Sequence, residues 1–406
     1  MSGIDGIRVE LRTDSLSRNL NLITILTSPS EQPLYIGIIG LAFGSGLILG
    51  PVIGGLFSDS AASWRWAFYI NLLIFAVLTP LYLKILPSKP RRPGTTFTQR
   101  LRSVDWLGTL LNMGMYVSLV LFCTFGGSIW AWSDGRTIAC IVIFAVLLVT
   151  FAVTQIFCVW TTAEDRLFPC EMVLNRTLVL LYITMACAGS SIFVTIYYIP
   201  LYFQFVQGDS GTQAAVRLLP FVCFFGASLN FCGYFMPRTG YYIIWYIASG
   251  VFLVIGAVLM HVVDLSTPVT NIYGYSILIA LGTTTSQAGY AVAPTLVPLN
   301  RIHEAIQLMN AAQGQSLLLG LTIASAIFQN RAFSGLQAIF SPLGYSDADI
   351  REAVAGAKST LLTHSTPQIR EQALNVVVQT IDNVYLMIVA AGALYIVCSC
   401  FLPRTK

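Results

Sequence analysis

Few residues in this sequence combine the side-chain type and the spacing that enzyme chemistry needs. Most of the nine cysteines lie inside apolar runs and none has C-x-x-C spacing, while His261, His303 and His364 are too scattered to form a metal site. No hydrolase, transferase or redox constellation is present. We therefore predict that the protein is not an enzyme and uses no metal and no cofactor.

Polar side chains inside long apolar stretches are the remaining candidates for function. An ionisable residue within a membrane span is a functional candidate by default, and Arg217 is the best one. For the Arg217 side chain, a hydrogen bond to another helix or snorkelling to the membrane surface is favoured over contact with substrate. The uncharged candidates are Tyr197, Tyr198, Gln204, Asn230, Gln287, Gln313 and Gln315. Singly, each is expected to serve packing; as a set, they predict a cavity for a large, mostly apolar molecule that carries little or no charge.

The composition shows why these polar groups stand out. Hydrophobic residues make up 56% of the 406, and charged residues only 10%, against about 25% in a soluble domain. A chain with so few charges cannot cover a surface in water, but lipid contact removes that need. The formal net charge of +4 is too small to indicate nucleic-acid binding.

A helix needs about 20 mainly apolar residues to cross a bilayer. By this criterion the sequence predicts an all-α transmembrane protein with about ten spans, and turn-forming residues separate most of them. The predicted spans are 34–57, 65–84, 104–125, 136–160, 178–202, 212–235, 240–262, 271–297, 305–329 and 382–402.

The distribution of lysine and arginine predicts that both termini are cytoplasmic. Residues 1–33 form a cytoplasmic N-terminal segment without the pattern of a signal peptide. The basic loop 85–103 is the strongest determinant of orientation. Its favoured role is to fix the membrane topology, ahead of specific binding of anionic lipid. The sequon at Asn175 then lies inside, and we expect no glycan there.

One long loop, 330–380, is predicted to be extracellular. Ser346 followed by Asp347 and Asp349 is typical of a helix N-terminus, and Thr366-Pro367 is a second start signal. A small helical cap is the plain interpretation of this segment. No feature of it identifies a protein partner.

The first span has the sharpest pattern in the chain. Gly46, Gly50 and Gly54 recur every four residues on one face, which permits close approach of a neighbouring helix, and Pro51 removes a backbone hydrogen bond. An ordinary tight helix interface explains this pattern as well as a functional role does.

The wider spacing of Gly37, Gly46, Gly50-Pro51 and Gly54-Gly55 resembles the antiporter motif of the major facilitator superfamily. The following segment, Trp64–Leu72, is similar to a signature of the fourteen-spanner drug:proton antiporters that are abundant in fungi. Weaker similarities continue in the same order. They are Asp105–Gly108, Tyr198–Gln204 and Arg217–Pro220.

The resemblance implies a major facilitator helix bundle that corresponds to family helices five to fourteen. Residues 34–84 would be the last two helices of a partial N-terminal bundle, 104–160 two linker helices, and 178–402 a complete C-terminal six-helix bundle. The implied function is proton-driven efflux of a hydrophobic drug, toxin or secondary metabolite across the plasma membrane. Its partners would be the small molecule, protons and the lipid bilayer, with no nucleic acid.

The family's first four helices have no counterpart here, and alternating access requires two bundles. A truncated gene product or misassigned start, a degenerate transporter, and pairing with a second chain are the open explanations, in that order of preference. The rival function is therefore a transporter-like membrane protein without transport activity, such as a sensor or an assembly subunit.

Overall fold

The computed structural model describes residues 46, 49–50, 52–61, 63–85, 97–163, 165–298, 301–356, 361 and 365–403. Within these ranges the regular structure is helical, apart from an isolated bridge between Gly126 and Trp130. The all-α fold class is confirmed. Residues 52–59 continue the predicted first span, most of which lies outside the described residues.

The described part of the chain is a succession of helices. In chain order they are α1 (Trp66–Ile85), α2 (Phe97–Arg102), α3 (Trp106–Phe125), α4 (Gly135–Ile156), α5 (Arg176–Val206), α6 (Gly211–Arg217), α7 (Leu219–Thr239), α8 (Tyr242–His261), α9 (Val269–Gly282), α10 (Gly289–Val292), α11 (Ile302–Phe340), α12 (Asp347–Ala355) and α13 (Pro367–Cys400). Short 3₁₀ turns at Cys170–Leu174, Ala293–Leu296 and Ser341–Leu343 join some of them.

In the described part of the chain, seven helices are long and apolar enough to cross a membrane. They are α3, α4, α5, the continuous pair α6–α7, α8, α11 and α13. Helices α1 and α9 are also apolar but have shorter apolar segments. Together these elements overlap the predicted spans from 65–84 to the end of the chain.

The core of the molecule lies among α5, α7, α8, α9, α11 and α13. Helix α5 packs against α11 and α13, while α8 packs against α9 and α13. Helix α4 is different, because Val146 and Val149 and most of its other side chains are exposed. Exposed apolar faces of this kind are expected where lipid replaces water.

Polar side chains set several helix starts. Asp105, Asp134 and Asn175 each accept hydrogen bonds from backbone N–H groups in the first turn of α3, α4 and α5, respectively. Such caps satisfy donors that have no partner within the helix. The predicted start at Ser346 is confirmed, since its side chain and that of Asp349 form a reciprocal capping box.

Two predicted spans need correction. Span 271–297 is not one helix, because turns occupy 283–288 between α9 and α10. Helix α11 continues to Phe340, past the end predicted for span 305–329, because Ala332, Leu336 and Phe340 keep a buried face at four-residue spacing. Helix α13 begins at Pro367, where Thr366-Pro367 predicted a second helix start, and it runs on into the last predicted span.

Candidate functional site

The break in span 271–297 creates the most polar stretch of backbone inside the bundle. Thr283 and Thr284 end α9 by donating their hydroxyls to the carbonyls of Ala280 and Leu281, at 2.9 and 2.5 Å. Thr283, Thr284, Thr285 and Ser286 are all buried. Irregular backbone at membrane depth is tolerated where protein buries it or where it lines a cavity.

A small cavity adjoins this break. Its volume is ≈ 30 Å³, which is room for about two water molecules. This is far smaller than the cavity for a large molecule that the polar residues predicted, so it can hold only part of such a cargo. Its lining comes from α5, α7, the break and α11, and consists of Met185, Gly189, Ile192, Phe193, Phe225, Ser286, Gln287 and Gln313. None of these lining residues is charged. The cavity therefore offers apolar walls and a few hydrogen-bonding groups.

Ser286 has an unmet hydrogen-bonding requirement in this cavity. Its side chain is buried, and its hydroxyl finds no hydrogen-bond partner among the described residues. Burying a hydroxyl without a partner costs free energy that a polar ligand atom or a water molecule can recover. Ser286 is thus the side chain most suited to contact a bound molecule here.

Gln313, which lines the cavity, belongs to a hydrogen-bonded group with Tyr290 and Asn310. The Tyr290 hydroxyl lies 2.6 Å from Asn310 Oδ1 and 2.7 Å from Gln313 Oε1. A hydroxyl has one proton to donate, so only one of the two oxygens accepts it at a time. The three side chains connect α10 to α11.

Gln315 connects this region to α3. The Tyr182 hydroxyl of α5 donates to Gln315 Oε1, and the Tyr116 side chain of α3 is also hydrogen-bonded to Gln315. Three helices therefore meet at one amide. Tyr116, Tyr182, Tyr290 and Ser286 were not predicted as site residues, because a tyrosine or serine in an apolar run carries no sign of the direction it faces.

The other predicted residues do not reach the cavity. Tyr198 is 1% exposed and packs against Phe328, whereas its neighbour Tyr197 is 56% exposed. Asn230 is exposed and donates its amide to the Gly226 carbonyl of its own helix. Gln204 is half-buried on α5, beyond the end that faces the cavity.

Arg217 is held by neighbouring helices. Its Nε lies 2.9 Å from Asp209 Oδ2, its Nη1 donates to the Tyr273 hydroxyl at 3.2 Å, and its guanidinium lies over the Phe203 ring. These contacts use its main donors and its charge. They match the bond to another helix that the sequence favoured over substrate contact.

The glycine motif is described in part. Gly37 and Pro51 lie outside the described residues. A side chain at Gly46, Gly50 or Gly54 would meet no described atom within 4 Å, whereas a Cβ at Gly55 would lie 2.9 Å from the Gly211 carbonyl oxygen. Close approach is thus seen at Gly55, against the start of α6.

A buried carboxylate joins the start of α3 to α4 and to the segment before α5. Asp105 is 4% exposed and accepts hydrogen bonds from Gly108 N (2.7 Å), Gln155 Nε2 (2.6 Å) and Leu167 N (3.1 Å). A side chain at Gly108 would collide with this carboxylate and with Gln155. The pairing explains why an aspartate precedes a Trp-Leu-Gly sequence here.

Comparison with known proteins agrees with this architecture. The family model described as Major Facilitator Superfamily matches residues 19–321. "Efflux pump patC" of Aspergillus clavatus is 57% identical over 95% of this chain and 70% of its own length. "MFS-type transporter patC" of Penicillium expansum is 57% identical over 96% of this chain and 71% of its own length.

Two more distant similarities extend the comparison. A "Phomenoic acid biosynthesis cluster MFS-type transporter" of Leptosphaeria maculans is 36% identical over 95% of this chain and 64% of its own length. The crystal structure of a bacterial homologue of the human lysosomal transporter Spinster, inward-facing and unoccupied, superposes with a TM-score of 0.52 at 13% identity. It covers 95% of this chain and 75% of that one, and it supports the fold alone. With the family model matching most of its length, this multi-pass membrane protein belongs to the Major Facilitator Superfamily of transporters.

Proposed function

We propose that this protein exports a hydrophobic, uncharged or weakly polar small molecule in exchange for protons. The observation that carries the proposal is the chemistry of the cavity beside the helix break. Apolar side chains such as Ile192 and Phe225 supply most of its wall, and its polar groups, Ser286, Gln287 and Gln313, are uncharged. A phosphorylated or strongly ionic cargo would lose its hydration there without a compensating charge.

The names of the relatives support the direction of transport and the cargo class. Proteins 57% identical to this chain are named efflux pump and MFS-type transporter, and a further relative is named for a biosynthesis cluster. From these names we infer that the exported molecule is a secondary metabolite, a drug or a toxin. The plasma membrane, with both termini cytoplasmic, is the corresponding location.

Exchange for protons is the finer part of the proposal. It draws on the resemblance of the first span to the antiporter motif and on the contact that Gly55 makes with Gly211. The fourteen-spanner drug:proton antiporters remain the proposed subfamily, with this chain corresponding to their later helices.

The test is deletion of the gene in the source organism. Small molecules extracted from cells and from medium are compared by mass spectrometry, with restoration of the wild-type gene as the control. We expect at least one lipophilic compound to rise inside the deletion strain and fall in the medium. An unchanged distribution, with the restored protein correctly inserted, would contradict export and favour the rival role as a non-transporting sensor or assembly subunit.

Collapse of the proton gradient with a protonophore should abolish the difference between strains, and an undiminished difference would contradict proton exchange.

A further inference from the structure

The segment between α4 and α5 is hydrogen-bonded to helices on both of its sides. Its residue Leu167 donates its backbone N–H to Asp105 Oδ2, at the start of α3, over 3.1 Å. The carbonyl oxygen of the same residue accepts from Gln307 Nε2 of α11, at 2.6 Å. We call residues 166–171 the strap, because this short stretch connects α3 to the first turns of α11.

A second pair of bonds holds the strap in the same way. Phe168 donates its backbone N–H to Gln155 Oε1, near the end of α4, at 2.9 Å. The carbonyl oxygen of Arg166 lies 3.3 Å from Gln307 Nε2, so the Gln307 amide bonds two successive strap carbonyls. Gln155 is 1% exposed, and the loss of a partner by such a buried amide is costly. The strap is therefore fixed to α3 and α4 on one side and to α11 on the other.

Charged side chains add an ion-pair connection between the strap and α11. Arg166 is 6% exposed, and its Nη2 lies 3.2 Å from Glu171 Oε1. Glu171 Oε2 lies 2.6 Å from Nη2 of Arg301, which precedes α11 and also pairs with Glu304 in the first turn. An exposed ion pair contributes little to stability, but a buried guanidinium needs its carboxylate. Glu171 thus connects the buried Arg166 to the start of α11.

The turn after α3 is attached to α11 near its other end. Asn330 Nδ2 of α11 donates to the carbonyl oxygen of Gly126 at 3.2 Å. Arg351 of α12 donates from Nε and Nη2 to the carbonyl oxygen of Ser128, at 3.2 and 3.0 Å. Gly127 has a φ of +77°, and a Cβ there would collide with the Asn330 side chain. The turn is therefore bonded to this part of α11 and closely packed against it.

The two attachments lie far apart on α11, with the cavity wall between them. Gln307 and Asn330 are roughly 35 Å apart along the helix, at about 1.5 Å per residue. This exceeds the hydrocarbon core of a bilayer, which is about 30 Å thick. Gln313, which lines the cavity, lies between them. A helix that is bonded at both ends to the same neighbour, here α3 and its flanking segments, can slide past it only when the bonds at one end break.

We propose that α3 and α4 are a fixed brace for α11, and that Gln307 is the positioning residue through which the strap holds the α11 wall of the cavity. Helices α3 and α4 pack against each other, so they act as one unit. During transport α11 then moves together with this pair, and Gln313 keeps its position relative to α3. The inference rests on the proposed export for its biological role, but the brace itself exists without cargo.

Hydrogen–deuterium exchange of the purified protein in lipid nanodiscs, without cargo, measures the brace directly. Gln307→Ala should speed exchange of the Leu167 and Phe168 amides by about five- to tenfold, because the strap loses its bonds to α11. The matched control is Gln329→Ala, since Gln329 lies on the same helix and its amide bonds Ser325 Oγ of that helix. This control should leave strap exchange at the wild-type rate. An unchanged strap rate in Gln307→Ala, or an equal increase in the control, would overturn the role of Gln307.

A covalent link tests whether α11 and the strap keep a fixed distance during transport. Leu167→Cys and Gln307→Cys are combined and joined by a short, membrane-permeant bifunctional thiol reagent in the complemented deletion strain. Wild-type protein treated with the same reagent is the control for its native cysteines. The unlinked double variant should export more slowly than wild type, and linking should restore the rate. Loss of export on linking, with treated wild type still active, would show that α11 moves past the strap and would overturn the brace.

The two measurements separate the brace from the proposed function. If wild-type protein exports nothing, the proposed function fails, whereas the exchange rates in nanodiscs still decide whether Gln307 holds the strap. If export is normal but the strap of Gln307→Ala exchanges like that of wild type, the brace fails and the proposed function stands.

Discussion

The Asp59 carboxylate accepts a hydrogen bond of 2.8 Å from the backbone N–H of Thr212, 153 residues further along the chain. A second bond, of 3.3 Å, comes from Gly211 N. The side chain and backbone of Thr212 lower the pKa of Asp59 to about 2. This contact and the approach of Gly55 to Gly211 join the end of the first span to the start of α6.

Replacing Asp59 by alanine should loosen this joint, because two backbone donors of α6 lose their acceptor. Spin labels at Ala61 and Gln213 would report a longer and broader distance distribution in Asp59→Ala. The matched control is Asp134→Ala, whose carboxylate bonds only within the start of its own helix and to Arg136.

The contact of Asp59 with the start of α6 should depend on pH in one direction. Because the pKa of Asp59 is lowered from 3.8 to about 2, its contribution is complete above 3.8 and is lost as the pH falls towards 2. The label distances should therefore stay constant between neutral and mildly acidic pH. A change in that range in wild-type protein, abolished by Asp59→Ala, would contradict the ionised contact.

Asp105 should be a major determinant of stability. Removing its carboxylate leaves the buried amide of Gln155 and the N–H of Leu167 without their hydrogen-bond acceptor. Asp105→Ala should therefore lower the free energy of unfolding by about 3 kcal/mol. Thermal unfolding in detergent can be followed by the reactivity of the buried thiols of Cys187 and Cys232. Glu352→Gln is the exposed control, and equal midpoints for both variants would show that the network is dispensable.

Two glycines of α11 should respond oppositely to alanine. A Cβ at Gly320 would lie 2.8 Å from Ser190 Cβ on α5, whereas a Cβ at Gly314 meets nothing within 4 Å. Gly320→Ala should cost about 1–3 kcal/mol through overpacking, and Gly314→Ala should stabilise the helix by roughly 0.5–1 kcal/mol. The same thermal unfolding assay distinguishes them. Destabilisation of similar size by both would contradict the close contact of α5 and α11.

Ser286→Ala tests the role of the hydroxyl in the cavity. Removing a buried group without a partner should leave stability unchanged or slightly higher, while loss of one hydrogen bond to cargo should weaken apparent affinity by about five- to tenfold. The measurement is the cargo concentration at half-maximal export in the complemented deletion strain. Thr195→Val is the control, since the Thr195 hydroxyl is also buried without a described partner but does not line the cavity. Equal affinities for the two variants would remove Ser286 from the binding site.

Some features of this protein followed from local sequence alone. Hydropathy predicted the spans from 65–84 onward apart from 271–297, because the bilayer imposes the same length and apolarity on every crossing helix. The helix start at Ser346 was also predictable, since its cap partner Asp349 is three residues away. The order of the motifs indicated the superfamily before any contact between helices was known.

The sequence by itself determined the class of the protein, the succession of its helices and their capping, all of which depend on residues close together in the chain. Tertiary structure alone decided that span 271–297 breaks at 283–288, and that Gln287 and Gln313 share a cavity while Tyr197 and Asn230 do not. The physical reason is that the rotation of each helix about its axis is set by packing against helices far away in sequence. A polar residue in an apolar run shows that a partner is needed, but only the packed bundle shows which one.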